Sequence, residues 1–359
     1  MFKGLINRME KIFQNIKIES IATALPKEIL ELNSLKNVYG EKVVEKIIKN
    51  TGINSVHVSP KNKTSSDYCV AAAEKLFEEN NFNPSEIDGI IFVTETPDYI
   101  VPHTSAILQE RLKLPNKIIT FDINYGCAGY VYGIFQSFLL IATGYCKKIL
   151  LCVGDTPAKV VNVCDKSLKM VLGDGGSATL IKKFDSDEKF AFNFYAEGDK
   201  KDKLIIPAGG FRIPREDGVT NILKFDENDN GRTLENVFMD GIGIMNFVFR
   251  NVRRVILETL EILNLPLESI DLFALHQANF LIVNHIAKIL NVDEKKVPFG
   301  ASKTGNTTCV SIPLMLSEIF SGINQNLKKV VICGFGTGLT CAAGIVDLSE
   351  TNILKSIQI

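Results

Sequence analysis

Three segments of this 359-residue chain come back in the same order roughly 180 residues later. "SEIDGIIFVTETP" (85–97) resembles "ESIDLFALHQANF" (268–280), with Asp88 matching Asp271. "TFDINYGCAGYVYGIF" (120–135) resembles "PFGASKTGNTTCVSIPL" (298–314), with Cys127 matching Asn306. "CKKILLCVGD" (146–155) resembles "LKKVVICGFG" (327–336). Such a repeat restricts the chain to folds built twice from one unit. In each unit, apolar runs bounded by turn residues ("IDGIIFVT", "KKILLCVGD") flank a segment of helical length, which reads as strand, helix, strand. The run after Cys127, "YVYGIFQSFLLIATG", is apolar on every side and must therefore be covered on every side. The expectation is a five-layer α/β/α/β/α sandwich of two duplicated halves sharing one buried helix layer. Residues 16–187 form the half carrying Cys127, and residues 188–349 the half carrying His276 and Asn306.

The remaining segments frame this core. Phe2, Leu5, Ile6, Met9, Ile12 and Phe13 recur at helical spacing, so residues 1–15 read as an amphipathic helical extension packed on the body. Charges interrupt its apolar stretches, unlike a signal peptide. The polar, glycine-rich stretch 198–233 breaks the repeat and reads as a surface cap. Forty basic and forty-one acidic residues leave a net charge of −1, which points away from nucleic acid. No run approaches the ~20 apolar residues of a spanning helix, so a membrane role is not expected. Eight cysteines without a CxxC pair suggest reduced thiols in the cytoplasm and no metal site.

The repeat also gathers chemistry. Cys127 and Asn306 occupy equivalent strand-to-helix turns, and His276 follows the strand "DLFAL" at the counterpart of Val93. Pseudo-symmetry brings all three towards one pocket. At a helix start, Cys127 would feel the positive end of the dipole, which favours thiolate. Cys146, Cys152 and Cys341 read as buried hydrophobes, and His57, His103 and His285 as structural. "GFGTG" (334–338) could offer a backbone N–H to an oxyanion or form a tight turn. It lacks the sequence of a phosphate loop.

With "TGI" (51–53), "DINYGCAG" (122–129), "GDGGSA" (173–178), "HQAN" (276–279), "GNTT" (305–308) and "GFGTG", the chain resembles the β-ketoacyl-acyl-carrier-protein synthases III of the thiolase superfamily, over about residues 16–348. The resemblance implies a transferase of fatty-acid biosynthesis catalysing a decarboxylating Claisen condensation. Cys127 would take an acyl group from a thioester, and the N–H groups of Cys127 and Thr337 would hold the oxyanion. His276 and Asn306 would hold the enolate formed as malonyl-carrier protein loses carbon dioxide. Lys166, Phe238, Val101, Phe335 and Gly336 fall at substrate-binding positions. No metal or redox cofactor is implied. The expected partners are an acyl carrier protein, an acyl-CoA or acyl-carrier-protein primer, and a second copy of the chain, with Val101 reaching into the acyl tunnel of the other subunit.

Asn306 separates the chain from elongating ketosynthases and thiolases, which carry histidine there. Thiolases also place a base cysteine where this chain has Gly334. Hydroxymethylglutaryl-CoA synthases add a catalytic glutamate that no motif here supplies. A non-condensing acyltransferase or an inactive partner subunit is the alternative. The departures concern substrate. The chain has no Trp, and Lys46 and Asn50 stand where family members that prime with acetyl-CoA clamp the adenine with Trp and Arg. Lys166 replaces an arginine and cannot bind bidentately. Lys288 keeps its charge at a carrier-docking position, whereas Met239, Leu281 and Ile289 replace basic residues. Arg250, Arg253 and Arg254 read either as a new patch for an acidic partner or as a solvated face.

Overall fold

The run Gly89–Thr94 has no polar alternation, the pattern of a strand covered on both faces, and all six residues are buried. In the computed structural model, which describes residues 12–323 and 326–359, it lies inside a sheet. It pairs in parallel with Ile119–Asn124 on one side and Lys148–Asp155 on the other. The sheet continues antiparallel through Gly175–Lys183 and Ile16–Leu25. Two short C-terminal strands, Asn352–Ile353 and Ile357–Gln358, then join Ile16–Leu25 in parallel.

The second sheet repeats this core. Leu272–Leu275 runs parallel to Val330–Gly336, as Gly89–Thr94 does to Lys148–Asp155. Thr340–Val346 and Phe190–Ala196 follow antiparallel. The copies diverge at the strand before the turn. Cys127 follows Ile119–Asn124, a full strand, whereas Asn306 follows a turn and makes only an isolated bridge to Leu172.

Helices Gly129–Ala142 and Ser311–Phe320 fill the space between the sheets. Val131, Ile134, Phe138, Ile312 and Leu316 share one apolar cluster with Val93 and Leu151 of the first sheet and Ile332 and Ala342 of the second. Burying a side chain of this size stabilises by about 1.5–3 kcal/mol. Ser65–Glu79 and Thr104–Arg111 cover the outer face of the first sheet, and Gly241–Leu263 and Phe280–Leu290 that of the second. The result is a five-layer sandwich. Its helices start where side chains meet free backbone donors. Asp240 accepts from the Gly243 N–H (2.9 Å), Asn279 from the Ile282 N–H (2.9 Å), and Thr64 with Asp67 forms a capping box.

Ile12 and Phe13 are not helical. They pair as a strand with Ala191 and Phe190, and the Phe13 ring sits edge-on to Phe135, Phe138 and Phe192. A local helical spacing lost here to an available sheet edge and an aromatic cluster. The rest of the expected N-terminal helix lies outside the described residues. Within 198–233 the chain forms a 3-10 turn at Gly198–Lys203 and the ribbon Lys224–Phe225 with Gly231–Arg232, largely exposed.

Candidate active site

Cys127 sits in the tight turn linking Ile119–Asn124 to Gly129–Ala142, where the Gly129 N–H donates to the Gly126 carbonyl (2.6 Å). The end of Val330–Gly336 presses on this turn. A β-carbon at Gly334 would lie 2.5 Å from Ala128 Cα, so only glycine permits the approach. The N–H groups of Thr337 and Cys127 face the sulfur and favour its anion. Burial outweighs them and, with the nearby Glu95 carboxyl, pushes the thiol well above its usual range. Contrary to the expectation from the helix start, the resting group is a thiol.

His276 follows Leu272–Leu275 directly, its N–H donating to the Cys333 carbonyl (2.8 Å). Its Nδ1 lies 2.7 Å from Ser311 Oγ, which also accepts the Gln277 N–H (3.3 Å). Ser311 therefore has its own proton to give to Nδ1, which leaves the imidazole proton on Nε2. Burial lowers the His276 pKa to about 3, against a raising influence from the Thr308 carbonyl. The ring is neutral, a weak base and a sound hydrogen-bond donor. Asn306 Oδ1 accepts the Thr308 N–H (3.0 Å), so the free end of its amide is the Nδ2 donor.

Cys127, His276 and Asn306 open onto one cavity of about 530 Å³, together with Phe335, Gly336 and Thr337. Phe335 meets the His276 ring edge-on at 5.3 Å. Thr51, Val160, Ile205, Ile206, Val237 and Met239 also line the cavity and make part of it apolar.

Two carboxyls that the sequence reading did not single out also line it, Glu95 and Asp155. Asp155 Oδ1 accepts from the Glu95 N–H (2.8 Å), Thr94 Oγ1 (2.9 Å) and Thr96 Oγ1 (3.0 Å). Its Oδ2 accepts from Thr308 Oγ1 and the Cys309 thiol. Burial raises its pKa and these donors pull it back. Glu95 has only the Thr337 side chain in its favour, and burial plus the Asp155 charge lifts it to about 7. Both carboxyls stand at the carboxyl ends of parallel strands, the position where open α/β sheets bind ligands. The strand-end rule that found His276 would have found them too.

Two family descriptions match, "3-Oxoacyl-[acyl-carrier-protein (ACP)] synthase III" over residues 121–198 and its C-terminal counterpart over residues 260–348. A β-ketoacyl-acyl-carrier-protein synthase III of Clostridium tetani is 34% identical over 82% of this chain and 87% of its own length. The chain belongs to the β-ketoacyl-acyl-carrier-protein synthase III family, whose members are acyltransferases. A putative 3-oxoacyl-acyl-carrier-protein synthase 3 of Campylobacter jejuni is 33% identical over 96% of this chain and 98% of its own length. The crystal structure of a 3-oxoacyl-acyl-carrier-protein synthase of Burkholderia xenovorans superposes with a TM-score of 0.90 at 31% identity, covering 97% of this chain and 98% of that one.

Several residues the family resemblance marked for substrate binding are not in this cavity. Val101 is 80% exposed on the loop after Gly89–Thr94. Phe238 lies on the surface under the Arg232 guanidinium (5.6 Å). Lys166 donates to the Asp229 carbonyl (3.0 Å) and faces its carboxylate (3.7 Å). A lysine held by the cap in this way is not free to meet a phosphate at the mouth. Lys46 and Asn50 are exposed. The three arginines are also engaged: Arg250 with Glu197 (2.7 Å), Arg254 over the Tyr195 ring (4.2 Å), and Arg253 with the Ile289 carbonyl (3.0 Å). That favours the solvated-face reading over a new docking patch.

Proposed function

We propose that this protein condenses a primer acyl thioester with malonyl-acyl-carrier protein through an acyl-Cys127 intermediate. The observation that carries the reading is the convergence of Cys127, His276 and Asn306 on one cavity, with the backbone N–H groups of Cys127 and Thr337 at the sulfur. In the first half-reaction the Cys127 sulfur attacks the primer carbonyl, and those two N–H groups hold the developing oxyanion. The displaced thiol leaves. In the second, the malonyl thioester carbonyl lies between His276 Nε2–H and Asn306 Nδ2. These donors stabilise the enolate as the carboxylate departs as carbon dioxide. The enolate carbon attacks the acyl-Cys127 carbonyl, the carbon–sulfur bond breaks, and a β-ketoacyl-carrier protein is released. The chemistry draws on no metal or redox cofactor.

The protein works in the cytoplasm as a homodimer. Ile119–Asn124 ends its sheet with one edge free, and Tyr99, Ile100 and Val101 are exposed beyond the adjacent strand. Among the described residues no helix is long and apolar enough to cross a membrane. The deciding experiment is intact-protein mass spectrometry after incubation with acyl-CoAs, followed by malonyl-carrier protein. Acyl mass on Cys127, discharged with release of a β-ketoacyl product, is the expected result. Loading without condensation would show a non-condensing acyltransferase instead.

A further inference from the structure

We propose that Glu95 carries the proton of the Cys127 thiol through the reaction. The inference rests on the acyl-Cys127 reading above. Its first support is placement. The Glu95 carboxyl lies over the Gly126 backbone, so close that a β-carbon at 126 would stand 2.2 Å from Oε2. The residue after Gly126 is the cysteine. Thr337 faces both groups, its N–H towards Cys127 Sγ and its hydroxyl towards the Glu95 carboxyl. Both side chains line the cavity.

The second support is the lack of another acceptor. The titratable groups around Cys127 are Glu95, Asp155, His276 and Cys309. His276, with a pKa of about 3, is a weak base. Asp155 has its lone pairs taken by Thr94, Thr96, Thr308, Cys309 and the Glu95 N–H. Burial and the Asp155 charge push the Cys309 thiol far up, so it neither gives nor takes a proton near neutrality. Glu95 has a free face in the cavity, no cation among the groups that shift it, and a pKa of about 7, where a carboxyl exchanges protons most effectively. A pair of carboxyls with their pKa values pushed apart assigns the mobile proton to one of them.

The steps balance. In loading, the thiol proton passes to the Glu95 carboxylate and the sulfur forms its bond to the acyl carbon. The bond from that carbon to the primer sulfur breaks, and the leaving thiolate takes the proton from Glu95. In condensation, loss of carbon dioxide leaves an electron pair on the enolate, which forms the new carbon–carbon bond. Cys127 departs as thiolate and takes a proton from Glu95. Solvent water supplies that one proton per turnover to Glu95 through the pocket mouth.

The test is Glu95→Gln, read in two ways on Cys127. Single-turnover loading from an acyl-CoA, followed by mass spectrometry, should rise through pH about 7 in the wild type. In the variant it should be slower by about a hundredfold or more above that pH, with the rise gone. Alkylation by iodoacetamide follows the thiolate population, and removing a nearby negative charge should leave it unchanged or faster. Glu95→Asp should recover part of the loading rate. Loading in Glu95→Gln at the wild-type rate and pH profile overturns the inference. So does an equal loss of loading and alkylation, which would show collapse of the turn, or an equal gain in both, which would show charge repulsion alone. Failure of the wild type to load Cys127 at all would instead overturn the condensation reading.

Discussion

Gly336 lies against Cys127 so closely that a β-carbon at 336 would stand 2.6 Å from both Cβ and Sγ of the cysteine. That contact brings the Thr337 N–H to the sulfur. Gly336→Ala has to displace either the cysteine or the loop, at an overpacking cost of about 1–3 kcal/mol. We expect acyl loading to be lost while the protein still folds. Mass spectrometry beside a thermal melt reads both, and loading at the wild-type rate would contradict the assigned oxyanion site.

His276 and Asn306 serve decarboxylation more than loading. Removing one enolate donor should cost about 3 kcal/mol, by analogy with an oxyanion-hole donor. His276→Ala and Asn306→Ala should still form acyl-Cys127 but release almost no carbon dioxide from malonyl-carrier protein. Cys127→Ala should fail to load. Normal decarboxylation in both donor variants would refute their roles.

Ser311 holds His276 in the Nε2–H form, with Oγ 2.7 Å from Nδ1. Ser311→Ala should lower decarboxylation by about tenfold or more, for a lost hydrogen bond of about 1.5 kcal/mol, with loading unchanged. Ser311→Thr keeps the hydroxyl and should recover activity. An equal loss in both variants would point to packing instead.

His276 also makes stability depend on pH. Its folded pKa of about 3 lies below the ordinary 6.5. Between these values the unfolded chain binds more protons than the folded one, so stability rises with pH. The contribution is complete above 6.5 and is lost as pH falls towards 3. His276→Gln should flatten the fall in melting temperature across that window. An identical acid profile for variant and wild type would remove His276 from the account.

The mouth lacks an aromatic and guanidinium clamp, and Asp229 holds Lys166. Such stacking is worth about 0.5–2 kcal/mol when desolvated, so acetyl-CoA should prime about tenfold less well or worse. A carrier-protein-bound or unusual acyl thioester should be preferred, in a dedicated pathway rather than bulk fatty-acid initiation. Comparing kcat/KM for acetyl-CoA with a panel of acyl-carrier-protein primers tests this. Acetyl-CoA emerging as the best primer would contradict it.

The layered fold was legible in the sequence because repetition and apolar runs are local patterns. A helix such as Gly129–Ala142, apolar on all sides, can only sit in the middle layer. The same repeat led to Cys127, His276 and Asn306, since equivalent chain positions occupy symmetry-related places. What tertiary structure alone decided depends on which distant groups share a small volume. The protonated thiol at Cys127 reflects burial and Glu95, which outweigh the N–H groups at the sulfur. Lys166 turned from the mouth because Asp229 arrives from the cap. Phe13 left its helical spacing because a strand edge and three phenylalanines were within reach. Glu95 is one acid among many in the chain, and its neighbours Asp155 and Thr337 come from segments far away in sequence. Desolvation and Coulomb energy depend on three-dimensional distance, which sequence order does not contain.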